Sequence, residues 1–291
     1  MINFTSTYNN IPNTTIEERL SIVFNPVTRP LNDWRTEVLL TAKHINNTKT
    51  KPLMLSLSGG IDAEVAARAF LELNIPFEVF SVRHTQGTND YDIKFARDFC
   101  NQYNIKHHIH EIDYVDFWTN SVQKYIDQGY RANSIFRFLQ LLILDTINNM
   151  GYTAVLGSGD QQYKTINGQI CLPLSPPWIM PVEWCRRNNV THYPYFYMSN
   201  PEVFASWMKT ELVEVKLKDP AWFVNVWGNA SLEKQDTYHK NWPDMPRRSK
   251  TDGFEKMRAW KISREKELIS MFPDIVWYYM PVSTIKQQLG I

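Results

Sequence analysis

The chain reads Leu53-Met54-Leu55-Ser56-Leu57-Ser58-Gly59-Gly60-Ile61-Asp62-Ala63 where a short apolar run meets two adjacent glycines. The residues after this stretch repeat apolar side chains at helical spacing as far as Leu73. This order predicts a buried strand, a tight turn and a helix. Glycines let the backbone turn sharply and let an anion approach the main chain, and the positive end of the helix favours phosphate. The stretch therefore predicts a phosphate-binding turn.

The predicted phosphate-binding residues follow one another along the chain. They are Ser56, Leu57, Ser58, Gly59, Gly60, Ile61, Asp62 and Ala63. The Asp62 carboxylate has the wrong charge for a simple anion site, so we expect a Mg²⁺ ion between it and the phosphate. The alternative for this turn is a plain strand-to-helix connection with a good cap.

Further strands and helices alternate around this turn. The pattern predicts strands over 77–82, 107–112 and 152–156 and helices over 31–45 and 91–103, with a helix-rich stretch over 114–150. Such alternation predicts an α/β fold, with a parallel sheet flanked by helices and right-handed crossovers. We divide the chain into an irregular lead-in (1–30), a nucleotide-binding α/β domain (31–165) and a helical or irregular C-terminal part (166–291) that binds the acceptor.

The turn at 58–62 fits neither the Gly-x-x-x-x-Gly-Lys-Ser/Thr loop nor Gly-x-Gly-x-x-Gly. It resembles the Ser-Gly-Gly-x-Asp-Ser/Thr pyrophosphate loop (PP-loop) of the N-type ATP pyrophosphatases, also called adenine nucleotide alpha hydrolases, and is nearest to the synthetase domain of asparagine synthetases. The resemblance implies a Rossmann-like fold of the HUP type, ATP and Mg²⁺ as cofactors, and cleavage of ATP to AMP and pyrophosphate. Ala63 stands where this family usually has Ser or Thr.

A second match follows the strand predicted over 152–156. Gly157-Ser158-Gly159-Asp160-Gln161 resembles the Gly-x-Gly-x-Asp-Glu turn of asparagine-synthetase-type domains, with Gln161 in place of Glu. The resemblance implies that Gly157 and Ser158 contact the nucleotide and that Asp160 helps to hold Mg²⁺. Carboxyl ends of neighbouring strands form the ligand crevice of an open α/β sheet, so Asp62 and Asp160 are expected to face one metal. An Asx turn or a helix cap is the alternative for Asp160.

The resemblance also implies residues for the adenine and for the reacting phosphates. Val82 ends the second strand and is expected to contact the adenine through its main chain. His84 follows this strand and is expected either beside the nucleotide or on a loop surface. A basic side chain from the C-terminal part is expected at the α phosphate, where a cation stabilises growing charge. Lys250 is our first candidate and Lys256 the second, with solvated surface positions as the alternative.

Composition limits the partners. The chain has 291 residues and a net charge of +1, which predicts no global attraction to nucleic acid or membrane. The 240–266 segment nevertheless has nine Lys and Arg against four Asp and Glu, so a nucleic-acid partner stays open there. No stretch is long and apolar enough to cross a membrane, and no signal peptide is evident, so we expect a cytoplasmic protein. A homo-oligomer stays open.

The tryptophans, histidines and cysteines are weighed as structural or functional residues. Eight of the ten tryptophans lie in the last 114 residues and suit an aromatic core better than an acceptor pocket or a base-stacking surface. His107, His108 and His110 are interpreted as structural rather than metal-binding, because alternation places them on both strand faces. Three cysteines, Cys100, Cys171 and Cys185, form no CxxC pair.

The main functional hypothesis is an AMP-forming ATP-dependent ligase. It would adenylate a carboxylate or amide-type oxygen and form a C–N bond with an amine or ammonia. Residue 2 is Ile and only about 50 residues precede the loop, so we expect no fused glutaminase domain. The alternatives are a nucleic-acid base-modifying enzyme, with Cys171 and Cys185 as the candidate thiols for sulfur transfer, and a non-catalytic nucleotide-binding protein suggested by Ala63 and Gln161.

Overall fold

The computed structural model describes residues 3–5, 21–159, 161, 163–174, 176–218, 230–249, 255–275 and 277–291. The strands are β1 (Asn3–Thr5), β2 (Ser21–Val23), β3 (Leu53–Ser56), β4 (Phe77–His84), β5 (His107–Ile112), β6 (Thr153–Leu156), β7 (Lys164–Ile166), β8 (Gln169–Leu174) and β9 (Tyr278–Pro281). The α-helices are α1 (Trp34–Thr48), α2 (Ile61–Glu72), α3 (Asp90–Gln102), α4 (Tyr114–Asp116), α5 (Gln123–Asp127), α6 (Ile135–Asn149), α7 (Met180–Arg187), α8 (Pro201–Met208), α9 (Glu211–Lys216), α10 (Ala230–Asn241), α11 (Arg258–Met271) and α12 (Val282–Leu289). A π-helical segment spans Phe117–Val122, and 3₁₀ turns span Pro176–Trp178, Phe196–Met198 and Glu255–Met257.

A four-stranded parallel sheet lies at the centre of the molecule. Its strand order is β5-β4-β3-β6, and all three pairings are parallel. The chain runs from β3 through α2 to β4 and through α3 to β5, and then crosses to the other side of β3 to form β6. This architecture confirms the α/β fold with a parallel sheet that the alternation of strands and helices predicted.

The side chains of this sheet face two hydrophobic cores. Leu53 and Leu55 of β3 belong to one core and Met54 to the other, as the alternation of a strand requires. Helices α1 and α2 contribute to the first core, and α6 to the second. Residues from beyond 165 enter both cores, including Leu174 and Trp184. The C-terminal region is therefore packed on both faces of the sheet.

Two short antiparallel sheets lie outside the regions that showed a strand pattern. Strand β8 pairs with both β7 and β9, with Leu174 opposite Tyr278. Strands β1 and β2 pair within the predicted lead-in. Neither pairing was predicted, because these segments show no clear alternation of apolar and polar residues and partners such as β8 and β9 lie far apart in the chain. Among the described helices, none is long and apolar enough to cross a bilayer.

Candidate functional site

The loop at residues 57–60, here called the glycine loop, lies at the carboxyl edge of the central strand. It follows β3, and the turn at 157–159, here called the second turn, follows the neighbouring strand β6. The two strands are in register, with Ser56 opposite Leu156. The chain leaves β3 toward β4, whereas β6 lies on the opposite side of β3. The glycine loop and the second turn therefore flank the topological switch point, where open α/β sheets bind their ligands.

The two glycines of the loop differ in whether their positions could hold a side chain. Gly59 has φ +88°, and a Cβ built on it would lie 1.9 Å from the carbonyl oxygen of Asp92 in α3. Gly60 has φ −72°, and a Cβ there would meet only the Ser58 Oγ, at 3.3 Å. Only glycine therefore fits position 59, whereas position 60 has an ordinary backbone conformation. The exposed Ser58 hydroxyl accepts a hydrogen bond from the Gly60 N–H at 3.2 Å.

Helix α2 begins directly after the glycine loop. Its N-cap residue is Gly60, which makes no side-chain capping bond. The first-turn amides of a helix have no acceptor within the helix, and the helix dipole places partial positive charge there. Ile61 and Ala63 in this turn are buried, at 9% and 8% exposure. The start of α2 thus presents backbone donors at the switch point, which suits an anionic ligand.

Residues from beyond 165 hold Asp62 of the first turn. The Asp62 Oδ1 accepts a hydrogen bond of 2.5 Å from the Tyr238 hydroxyl and forms an ion pair with the Lys234 ammonium group. The Asp62 carbonyl oxygen accepts a hydrogen bond of 2.7 Å from the Tyr197 hydroxyl. Lys234 and Tyr238 lie one turn apart on α10 and therefore share a face. No sequence pattern singled out Lys234 and Tyr238, because their i, i+4 spacing is the only local signal they carry.

An aromatic cluster surrounds Tyr238, the residue that donates to the Asp62 carboxylate. The Trp34 ring stacks on Tyr238 with centroids 5.0 Å apart and meets Trp207 edge-on at 5.0 Å. Trp242 completes the cluster at 5.9 Å from Trp34. The three tryptophans are 5–8% exposed. Of the C-terminal tryptophans, Trp207 and Trp242 therefore form core, as the first of the two interpretations expects, whereas Trp277 is 47% exposed. The cluster also positions the Tyr238 hydroxyl.

Arg248 joins the C-terminal region to the glycine loop. Its Nη1 donates a 2.5 Å hydrogen bond to the Gly59 carbonyl oxygen, and its Nη2 pairs with Glu64 of α2. Glu64 also accepts a hydrogen bond from Arg68 at 2.8 Å, and Arg68 in turn pairs with Asp244 at 2.8 Å. Arg248 is 6% exposed. Because a trans peptide directs its C=O and N–H to opposite sides, this bond turns the Gly60 N–H away from Arg248 and toward the exposed Ser58 Oγ.

The second turn packs tightly against α2. A Cβ on Gly157 would lie 2.4 Å from the Ala63 Cα. The Ser158 carbonyl accepts a hydrogen bond from the Tyr197 N–H at 3.2 Å. Gln161, which stands where Glu was expected, donates to the Phe204 carbonyl at 2.6 Å. The structure thus brings Gly157 and Ser158 beside the glycine loop, whereas Asp160 lies outside the described residues.

The predicted adenine neighbours lie at the end of β4. The Val82 carbonyl accepts a 2.8 Å hydrogen bond from the Asn89 side chain. His84 is 4% exposed, and its ring nitrogens contact the Thr88 hydroxyl at 2.5 Å and the Tyr114 hydroxyl at 2.8 Å. Both groups are therefore engaged within the protein at the carboxyl edge of the sheet.

The predicted cations have different positions. Lys250 lies outside the described residues. Lys256 is exposed and lies near Asp90, the first residue of α3. Hydrogen bonds from Arg83 hold the pKa of the Asp90 carboxyl below its ordinary value, and the charge of Lys256 adds to this effect. No described contact joins Lys256 to the glycine loop, so Lys234 is the lysine that the structure brings to Asp62.

The histidines and cysteines have structural surroundings. The His107 Nε2 contacts the Ser81 hydroxyl at 2.8 Å, and His108 contacts Glu78 at 2.5 Å. In the part of the chain that the structure describes, no three His, Cys, Asp or Glu side chains group around a common metal position. Burial raises the pKa of the Cys185 thiol to about 12 and raises that of Cys171. Neither thiol has the low pKa that reactive cysteines require.

Comparisons with known proteins add little beyond the geometry. No protein-family model matches the chain, and no curated protein matches it. The chain is similar to the solved NMN synthetase from Francisella tularensis, with a TM-score of 0.36, 14% identity and coverage of 82% of this chain and 92% of that one. It is also similar to an NH3-dependent NAD synthetase from Campylobacter jejuni, with a TM-score of 0.33, 14% identity and coverage of 81% and 94%. A glutamine-dependent NAD+ synthetase from Acinetobacter baumannii has a TM-score of 0.33 and 14% identity, with coverage of 89% of this chain and 47% of that one.

These TM-scores and identities are too low to support an argument about this chain. The fold is therefore assigned from its own strand order and register. No function passes from these structures to the chain.

Proposed function

We propose that this protein is a cytoplasmic ATP-dependent ligase of the N-type ATP pyrophosphatase superfamily. It cleaves ATP to AMP and pyrophosphate, transfers AMP to a carboxylate or amide-type oxygen of an acceptor, and lets an amine or ammonia displace the AMP. The observation that carries this proposal is the pair of glycine turns that flank the switch point of the sheet. One of these turns leads into the N-terminus of α2, whose N-cap is a glycine, and a helix N-terminus suits phosphate.

The residues of the glycine loop fit the phosphates of ATP. Backbone amides at the start of α2 and the Ser58 hydroxyl supply neutral donors, while Gly59 and Gly60 leave the main chain without side chains. Mg²⁺ bound beside the Asp62 carboxylate would neutralise phosphate charge, and Asp160 is the second proposed ligand. The nucleotide site further includes Gly157, Ser158 and the end of β4 at Val82 and His84.

Lys234 is the cation that we add to this site. It lies within ion-pair distance of Asp62, and its side chain is 13% exposed. A cation beside the metal-binding carboxylate can stabilise charge that grows on the α phosphate. Lys250 and Lys256 stay in the proposal as further candidates for the same role.

A small-molecule acceptor suits the site better than nucleic acid. Four of the nine cations of the 240–266 segment pair with carboxylates, which reduces the positive charge that this segment offers to nucleic acid. These are Lys240 with Glu211, Arg247 with Asp236, Arg248 with Glu64, and Arg264 with Glu267. Burial of Cys171 and Cys185, with raised pKa values, also argues against sulfur transfer through these thiols.

Incubation with ATP, Mg²⁺ and a panel of acceptors with ammonia tests the proposal. We expect AMP and pyrophosphate as products, and we expect Asp62→Ala to lose activity. Release of ADP, or full activity in Asp62→Ala, would contradict it. Tight ATP binding without turnover across the panel would instead support a non-catalytic nucleotide-binding protein.

A further inference from the structure

Arg137 lies beside the second turn, at the carboxyl edge of the sheet. It belongs to the first turn of α6, and α6 leads directly into β6. Its Nη1 donates a 3.2 Å hydrogen bond to the Tyr195 hydroxyl. The Tyr195 Cβ in turn lies 3.1 Å from the position of a Cβ on Gly159. Arg137 thus reaches the edge of the proposed nucleotide site through Tyr195.

The described partners of the Arg137 guanidinium are all uncharged. Besides Tyr195, it donates to the Gln140 Oε1 at 3.0 Å and lies 4.8 Å from the centroid of the Trp178 ring. The Tyr195 hydroxyl also donates to the Trp178 carbonyl at 2.6 Å, and the two rings stack at 5.6 Å. The guanidinium is therefore held in one orientation by aromatic neighbours that do not neutralise it.

This absence of a counter-charge sets Arg137 apart from the other arginines that the structure describes. Every other buried or half-buried arginine among them has a carboxylate partner. These arginines are Arg29, Arg35, Arg68, Arg83, Arg131, Arg248 and Arg264. Arg97 and Arg258 also have no carboxylate partner within the described chain, but both are exposed. Burial removes part of the water that would hydrate the Arg137 guanidinium, so an anionic ligand that pairs with it would stabilise it further.

We propose that Arg137, together with Trp178 and Tyr195, binds an anionic group of the acceptor, either a carboxylate or a phosphate. The planar guanidinium matches both groups in a bidentate manner. The segment from Tyr195 to Tyr197 links this position to the first turn of α2, because the Tyr197 hydroxyl donates a hydrogen bond to the Asp62 carbonyl. That the bound anion belongs to the acceptor rests on the proposed function. With that function, the inference makes the acceptor an anionic small molecule.

Binding of three matched probes tests the anion site without any turnover. Benzoate, phenyl phosphate and benzamide are titrated against the full chain by ligand-observed NMR. We expect at least one of the two anions to bind and benzamide not to bind. In Arg137→Gln we expect the affinity for that anion to fall at least tenfold. Preference for benzoate assigns the site to carboxylates, and preference for phenyl phosphate assigns it to phosphates.

Arg97→Gln is the matched control, because it removes the same charge from an exposed arginine. Equal losses in both variants, equal binding of benzamide and benzoate, or no binding of any probe would each overturn the proposal. If Arg137→Gln does not fold, the fall in anion affinity is measured in Arg137→Lys, which keeps the charge and loses the planar guanidinium fork. Unchanged affinity in Arg137→Lys would then overturn the proposal. Calorimetry of ATP binding to the unmodified protein reports separately on the proposed function: absence of ATP binding would contradict that function, whereas the probe titrations alone judge the anion site.

Discussion

The Tyr238 hydroxyl donates a 2.5 Å hydrogen bond to the Asp62 carboxylate across 176 positions of sequence. The same carboxylate oxygen pairs with Lys234 from the preceding turn of α10. The acidic residue of the glycine motif is therefore positioned by the C-terminal region. The part of the chain proposed to bind the acceptor and the proposed ATP chemistry meet at this one carboxylate.

Lys234→Met should lower kcat/KM for ATP at least tenfold, because the variant removes the cation beside the proposed phosphate site. Tyr238 still holds Asp62 in this variant, so thermal unfolding should change little. Lys240→Met is the control, since Lys240 lies on the same helix and pairs with the exposed Glu211. Steady-state kinetics of AMP release check the prediction. Equal kinetics for the two variants would remove Lys234 from the site.

Gly59→Ala and Gly60→Ala should behave differently although they are adjacent. At position 59 the new Cβ meets the Asp92 carbonyl and the backbone has positive φ, so we expect a loss of at least about 2 kcal/mol in the free energy of unfolding. At position 60 the backbone suits alanine, and the loss should stay below about 1 kcal/mol. Urea unfolding of both variants checks the difference. Similar stabilities would mean that the glycine loop does not have the described contact with α3.

Arg248→Met should destabilise the protein by about 3 kcal/mol, because it leaves a buried Glu64 carboxylate with only Arg68 as a partner. The neighbouring Arg247→Met should cost less than about 0.5 kcal/mol, since Arg247 pairs with Asp236 at the surface. Chemical unfolding measures both values. Hydrogen exchange at residues 57–60 should also speed up in Arg248→Met alone, because the Gly59 carbonyl loses its donor. Unchanged exchange there would show that Arg248 does not hold the loop.

His192 should make the protein less stable in mild acid. Burial lowers the pKa of His192 from the ordinary 6.5 to about 4, and its Nδ1 accepts a hydrogen bond from the Ala154 N–H. Between these pH values the unfolded chain binds the proton more readily, so stability rises with pH through this window. At pH 5 the effect is about 2 kcal/mol.

His192→Asn removes this titration and keeps an acceptor for the Ala154 N–H. Urea unfolding at pH 5.0 and pH 7.5 should therefore show a smaller difference in His192→Asn than in the unmodified protein. An unchanged difference would contradict the assignment of this titration to His192.

Local patterns predicted the elements of the parallel sheet to within a few residues. The strand predicted over 107–112 is β5, and the helix predicted to run as far as Leu73 is α2, which ends at Glu72. The cap of α1 is equally local, since the Asp33 carboxylate accepts a hydrogen bond from the Thr36 N–H at 3.0 Å. Such features depend on neighbouring residues, because helix and strand periodicity and capping act within a few positions.

The sequence by itself therefore determined the parallel α/β architecture and the glycine turn that its central strand leads into. Only the tertiary structure decided which side chains surround that turn. Contacts between distant segments bring Lys234 and Tyr238 to Asp62 and Arg248 to Gly59. The described partners of Arg137, by contrast, are uncharged. A charge is paired or unpaired according to what folding brings beside it, and no local spacing of residues encodes that neighbour.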